Sequence, residues 1–131
     1  MSYHTNIISA TNANSFFRQV LHTGKKSQLV VMSIPPGGDI GAEVHQHVEQ
    51  SLVVVSGTGE SILDGVHEPM IVGDIVVVTP GVNHNIANTG QVPLQLYTIY
   101  APPNHLDGKV HKTQADAIAD TEDEAFGEAQ S

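Results

Sequence analysis

EVHQHVEQSLVVVSGTG, residues 43–59, joins two histidines to a β-branched run that ends in a Gly-rich turn. Side chains two positions apart in a strand lie on one face, so a strand here would point His45 and His47 the same way. A turn or bulge at residues 48–49 would start a new strand at Gln50 and return its side chain to the two histidines. The alternate residues of that new strand would then share one face: Gln50, Leu52 and Val54.

A second informative stretch is GDIVVVTPGVNHNIANTG, residues 73–90. Its β-branched run enters a turn at Pro80–Gly81, because proline and glycine supply the backbone angles that tight turns need. The chain then returns as a strand. One face of that strand would carry His84, Ile86 and Asn88.

Short apolar, β-branched runs recur through the middle of the chain, separated by Gly, Pro, Asn and Asp. Many short strands with frequent turns are typical of an all-β sandwich or barrel. We find no helical periodicity across this region. The predicted strands lie at residues 28–34, 51–55, 61–65, 69–72, 74–80 and 94–100.

The chain is predicted to be one domain of three parts, since 131 residues suit a single core. Residues 1–26 are expected to form an extended N-terminal arm with an edge element at 16–24. Residues 27–103 are expected to form the barrel. Residues 104–131 form a C-terminal extension that ends in an acidic tail, either a short amphipathic helix over 112–126 or a frayed end.

Composition excludes several classes of function. There is no cysteine, so disulfides, thiolate metal sites and cysteine nucleophiles are absent. The net charge is −9, which repels phosphate backbones, and we expect no nucleic-acid partner. The sequence has neither a secretory signal pattern nor an apolar run long enough to span a bilayer, so we expect a cytoplasmic protein that does not bind membranes.

The two stretches resemble the cupin superfamily, whose first motif reads G-x5-H-x-H-x3,4-E-x6-G and whose second reads G-x5-P-x-G-x2-H-x3-N. The first is matched by His45, His47, Gln50 and Gly57, and the second by Gly73, Pro80–Gly81, His84 and Asn88. The ends of the chain, residues 17–37 and 96–117, are similar to small cupins labelled mannose-6-phosphate-isomerase-like. This resemblance implies a double-stranded β-helix, or jelly-roll barrel.

The resemblance also implies one divalent metal ion, bound by His45, His47, Gln50 and His84. Gln50 stands in the place of the usual Glu, and its neighbour Glu49 is the competing fourth ligand. The spacing departs from the first motif in two ways: Gln50 follows His47 too closely, and no glycine stands six before His45. Imidazole and oxygen ligands suit Mn, Fe or Ni, which we favour, with Zn or Cu as alternatives.

We expect from the resemblance a metal-dependent enzyme that binds a small oxygen-rich metabolite, with dioxygenase or isomerase-type chemistry. The alternative is a cupin that binds a metal and a small ligand without turnover. A sugar-phosphate substrate is disfavoured, since Arg18 is the one arginine and no lysine or arginine falls in the motifs.

Other residues receive structural interpretations. Glu43 could share the inward face with His45, but we expect an exposed charge at the barrel rim. His105 and His111 follow the barrel in a polar stretch and are expected at the surface, although near a barrel mouth they could serve as acid–base groups. Val53 and Val55 face outward in the predicted strand and indicate a second covered surface, for which we expect a homodimer.

Overall fold

The computed structural model describes residues 2–130, which form two antiparallel sheets and three short helices. The strands are β1 Arg18–Thr23, β2 Gln28–Ile34, β3 Glu43–Val44, β4 Glu49–Ser56, β5 Gly59–Leu63, β6 Val66–Met70, β7 Ile75–Val78, β8 Asn83–Asn88, β9 Leu94–Ala101 and β10 Val110–His111. The helices are α1 Ile7–Ala13, α2 Gln114–Ala119 and α3 Thr121–Gln130.

The larger sheet has the order β10-β1-β2-β9-β4-β7, and the smaller has the order β3-β8-β5-β6. Alternate residues of β4 are buried from Gln50 to Val54, and those of β8 are buried from His84 to Asn88. These two faces are the ones that the sequence predicts. The predicted all-β jelly-roll with short C-terminal helices is confirmed.

The core lies between the sheets and reaches the histidine on β8. Ile34, Leu52, Ile86 and Leu94 are each no more than 1% exposed. Burying an aliphatic side chain of this size contributes roughly 1.5–3 kcal/mol. Because Ile86 is two residues from His84 on the same face of β8, the packing that anchors Ile86 also fixes where His84 points.

The N-terminal segment differs from the predicted extended arm. Residues 7–13 form helix α1, which begins at Asn6, whose side chain accepts a hydrogen bond from the Ser9 amide at 2.9 Å. Helix α1 lies against β2, β4 and β9. Strand β10 pairs only with the first two residues of β1, on its outer side, so the rest of β1 keeps the edge position that the sequence predicts. Met1 of the predicted arm lies outside the described residues.

Helix α1 also changes the reason for expecting a dimer. The Gln95 side chain on β9 donates to the carbonyls of Thr11 and Asn14, at 2.9 and 2.7 Å, and ties the helix to the outer face of the larger sheet. Val55 is only 9% exposed. Helix α1 therefore accounts for the burial of Val55, whereas Val53 is half-buried and its register partner Ile75 is exposed. The homodimer stays a prediction.

The C-terminal extension contains two helices where the sequence predicts one. Helix α2 begins at a capping box formed by Thr113 and Asp116, and the helical path breaks at Asp120 before α3. Helix α3 is anchored by Asp123, which is 4% exposed. Within residues 2–130, no helix is both long and apolar enough to cross a lipid bilayer.

Candidate metal centre

Three side chains that can bind a metal meet at the end of the smaller sheet. Glu43, His45 and His84 each offer a ligand atom, and these atoms all lie within 4.8 Å of one another. Glu43 on β3 is the register partner of His84 on β8, which brings the two side chains together. Just beyond β3, the Nε2 atom of His45 lies 3.1 Å from Oε2 of Glu43, and the rings of His45 and His84 are 5.2 Å apart.

Two buried atoms near this group have lone pairs that nothing in residues 2–130 satisfies. Nδ1 of His84 lies 3.3 Å from the carbonyl oxygen of Val82, and its Nε2 has no hydrogen-bond partner. The Gln50 amide nitrogen donates to Oγ1 of Thr98 at 3.1 Å, and its Oε1 accepts nothing. A buried unsatisfied polar atom costs roughly 1–3 kcal/mol. Nitrogen and oxygen lone pairs are what a divalent ion binds, so these residues fit such an ion.

Gln50 approaches the group from the larger sheet. It is 2% exposed and pairs in register with Tyr100 of β9. The Tyr100 ring stands edge-on to His45, with centroids 6.3 Å apart. The structure therefore places Gln50 on the same inner side of the barrel as His45.

The electrostatics of the group favour the metal-binding protonation states. Burial holds the pKa of His84 below its usual range, although the hydrogen bond with Val82 acts the other way. Burial alone would raise the pKa of Glu43, but its hydrogen bond and charge interaction with His45, with the field of Arg18, hold that pKa below its usual range. A neutral imidazole and an ionised carboxylate are the forms that bind metals.

The structure does not bring His47 into this group. His47 is exposed, and so is Glu49, the competing ligand. The strand that would have aligned His45 with His47 ends at Val44, and residues 46–47 form a bend, so strand alternation no longer applies. His47 as a ligand stays a prediction, and the geometry favours Glu43 in its place.

The motif spacing contains a signal for Glu43 that the prediction missed. Gly37 stands six positions before Glu43, and Gln50 stands five positions after His45. Read as Gly37-x5-Glu43-x-His45-x4-Gln50-x6-Gly57, the first motif keeps its spacing throughout. Both departures noted for His45 and His47 disappear when Glu43 takes the place of the first histidine.

A cavity of about 390 Å³ lies between this end of the barrel and helices α2 and α3. Glu43 and His45 line it from the barrel, and Arg18 lines it from β1. His105 and Asp123 line it from the C-terminal extension. Glu43 and His45 therefore open onto a space large enough for a small metabolite, lined by both charged and apolar side chains.

A hydrogen-bonded chain runs from α3 toward His45. Oδ2 of Asp123 lies 2.7 Å from Nδ1 of His105, and Nε2 of His105 lies 3.2 Å from the Tyr100 hydroxyl. The other carboxylate oxygen of Asp123 accepts the Leu106 amide at 2.7 Å. With Nδ1–H donating to Asp123, Nε2 of a neutral His105 accepts a hydrogen bond from the Tyr100 hydroxyl.

The pKa shifts agree with that pattern of protons. Burial lowers the pKa of His105, although the bond with Asp123 opposes the shift. Burial raises the pKa of Tyr100 to about 12, so its hydroxyl stays protonated and donates. The sequence placed His105 and His111 at the surface; that is wrong, since they are 7% and 3% exposed.

A second set of ligand-type atoms is already satisfied by protein partners. Asp120, Asp123 and His111 lie together. Oδ2 of Asp120 is bonded to Lys109 at 2.8 Å and to His111 at 2.9 Å. We therefore assign this set a structural role in holding β10 and α3 on the barrel.

Acidification should weaken the fold through His105. Because the folded state lowers its pKa, its contribution is complete above the unfolded value of about 6.5 and is lost as the pH falls toward the folded pKa. The slope is at most about 1.4 kcal/mol per pH unit for each such group, and His84 adds to it in the same direction. Urea unfolding at a series of pH values should show a smaller slope for His105→Gln, and an unchanged slope would contradict this assignment.

The chain is similar to known proteins in both sequence and structure. The family model described as cupin domain matches residues 30–100. YrkC of Bacillus subtilis strain 168 is 44% identical over 120 residues, which cover 87% of this chain. The chain spans 64% of the length of YrkC.

Two solved structures extend the likeness. BH2720 of Bacillus halodurans superposes with a TM-score of 0.89 at 39% identity, and the match covers 91% of this chain and 95% of BH2720. A protein of Thermotoga maritima, named as a predicted oxalate decarboxylase, superposes with a TM-score of 0.57 at 25% identity, covering 60% of this chain and 69% of that protein. The likeness to BH2720 thus includes both ends of the chain as well as the barrel.

Proposed function

The chain belongs to the cupin family, and from that membership we propose that it binds one divalent metal ion through Glu43, His45 and His84, with Gln50 as a neutral fourth ligand. With this ion it acts on a small oxygen-rich metabolite in the adjoining cavity. The observation that carries the proposal is the pair of buried lone pairs, on His84 and Gln50, beside an ionised Glu43.

The donor set gives two nitrogen and two oxygen ligands from one end of the barrel. Such a set suits Mn, Fe or Ni, and Zn or Cu are alternatives. When bound, the ion supplies a Lewis acid that polarises a ligand oxygen. Glu43 reduces its formal charge to +1, and Gln50 leaves that charge unaltered, so the site retains an attraction for oxygen anions.

The cavity supports proton-transfer chemistry over oxygenase chemistry. Charged and polar side chains line it, and one of them is His105, whose Nδ1 is hydrogen-bonded to Asp123. A histidine oriented by a carboxylate is the arrangement of a general acid–base. Both ring nitrogens of His105 are engaged, by Asp123 and by the Tyr100 hydroxyl, so we assign His105 a role that acts through that hydroxyl. We propose isomerisation or decarboxylation of the metabolite. The oxalate decarboxylase name of the Thermotoga protein supports the second of these reactions.

The proposal is tested by metal content and turnover. Elemental analysis of the purified protein should find one divalent ion for each chain, and a metal-stripped sample should regain one on titration. Protein loaded separately with Mn, Fe, Ni and Zn is then screened for isomerisation and decarboxylation of small sugars and hydroxy acids, and for O₂ uptake. Oxygen uptake alone would establish the dioxygenase alternative. Metal binding without any turnover would establish a binding cupin.

Removing the charge of Glu43 should weaken metal binding. In Glu43→Gln the side chain keeps its size but loses the ionised oxygen, and we expect the affinity for Zn²⁺ to fall about tenfold. The matched control is Glu49→Gln, which removes an exposed carboxylate outside the group and should change the affinity less than about twofold. Isothermal titration with Zn²⁺ measures the affinity of both variants. An equal loss of Zn²⁺ affinity in the two would refute Glu43 as a ligand.

A further inference from the structure

Arg18 is a buried cation, and the ion pairs formed within residues 2–130 do not include it. It is 7% exposed, and one terminal nitrogen lies 3.3 Å from Nδ1 of His111. Its Nε is buried and bonded to nothing in the described chain. A guanidinium cannot lose its charge in a protein, and a buried charge without a counter-ion is destabilising. The guanidinium also bonds to the Tyr100 hydroxyl, and its field lowers the pKa of Glu43, but no carboxylate of the described residues is within ion-pair distance of it. The Nε–H is therefore available to an anion from outside the chain.

Its neighbours hold Arg18 in one orientation. Nε2 of His111 is bonded to Asp120 at 2.9 Å, which leaves Nδ1 to accept from the guanidinium. The guanidinium carbon also lies 5.2 Å from the centre of the Phe17 ring. The N–H donors of Arg18 are thus held in place on strand β1, as a binding subsite requires.

Arg18 lines the same cavity as the metal-binding group. It is the single lysine or arginine in the walls of that cavity. Three acidic residues of α3 also line the cavity. Asp123 is hydrogen-bonded to His105 and to the Leu106 amide. Glu124 and Glu128 are exposed to solvent. Arg18 is thus the buried cation of this cavity, and its Nε–H is not bonded within residues 2–130.

We propose that Arg18 binds the carboxylate of a small monocarboxylic acid, and that the other oxygen groups of this acid face Glu43, His45 and His84. This rests on the proposed function, and it narrows the substrate class from an oxygen-rich metabolite to an organic acid. The planar guanidinium edge, with an Nε–H available, matches the two oxygens of a carboxylate.

The charges in the cavity select a monoanion over a phosphate. One guanidinium balances one carboxylate, whereas a phosphate dianion would face Glu43 and the acids of α3 with the same single cation. Phosphate sites more commonly combine several cationic or backbone donors.

The single arginine provides a direct measurement. A ¹H–¹⁵N spectrum of the arginine Nε region holds one folded-state signal, because the chain has one arginine. Acetate, added to the Zn²⁺-loaded and the Zn²⁺-free protein, should shift that signal saturably. Acetamide, its neutral isostere, and chloride should not shift it. The proposal is overturned if acetate leaves the arginine signal unshifted in both samples. It is also overturned if phosphate displaces acetate at a phosphate concentration lower than that of the acetate.

Two variants complete the test. Arg18→Gln should weaken acetate binding at least about tenfold, while Lys26→Gln, which removes an equal charge from an exposed turn, should leave it unchanged. Equal acetate affinity in Arg18→Gln and the wild type overturns the proposal. Failure of Zn²⁺ to bind refutes the proposed metal site instead, and the titration of Zn²⁺-free protein then still decides whether Arg18 binds carboxylates.

Discussion

Replacing His84 with alanine should lower the affinity for Zn²⁺ about 100-fold or more, which corresponds to about 2.7 kcal/mol at about 1.4 kcal/mol for each factor of ten. His84 is 1% exposed, and its Nε2 lacks a partner within residues 2–130, so its imidazole is preorganised for the ion. Its removal deletes a nitrogen ligand that no neighbour replaces. Isothermal titration of metal-stripped protein measures the loss.

The control for this result is His47→Ala. His47 is exposed and lies outside the group, so its removal should change the Zn²⁺ affinity less than about threefold. Thermal unfolding without metal should show that both variants remain folded. If His47→Ala instead lost as much affinity as His84→Ala, the ligand set with His47 would be right and Glu43 would be displaced from it.

Gly57→Ala should destabilise the fold by roughly 2–4 kcal/mol, because strain and a backbone clash act together. Gly57 has φ +87°, a conformation that residues with a side chain rarely adopt. A Cβ atom there would lie 2.7 Å from the carbonyl oxygen of Pro93 and 3.1 Å from the Cα of Leu94. Both contacts are to backbone, which cannot move aside as a flexible side chain would. Urea unfolding of the metal-free protein measures the effect.

Gly65→Ala separates the two causes. Gly65 has φ +81°, close to that of Gly57, but a Cβ atom there would meet nothing within 4 Å. Its substitution should therefore cost only the strain of the left-handed backbone, about 1 kcal/mol. A loss as large as that of Gly57→Ala would show that the clash with the backbone of Pro93 and Leu94 is not the cause.

The sequence alone predicted the faces of β4 and β8 that carry Gln50 and His84. The alternation in 50–54 and 84–88 predicts which side chains point inward, because a strand exposes successive residues to opposite faces. The turn at Pro80–Gly81 follows from the backbone needs of those two residues. These features are local, so a single chain read in order contains them.

Only the tertiary structure decided which polar side chains meet. Glu43 joins His84 through pairing between β3 and β8, while His47 is turned away by a bend that begins after β3 ends. Arg18 and His105 come from opposite ends of the chain and reach the cavity because β1, β10 and the C-terminal helices close over it. Residue patterns record which face a side chain takes within its own element. Convergence depends on contacts between elements distant in sequence, and for Arg18 and His105 no spacing in the sequence pointed to those contacts.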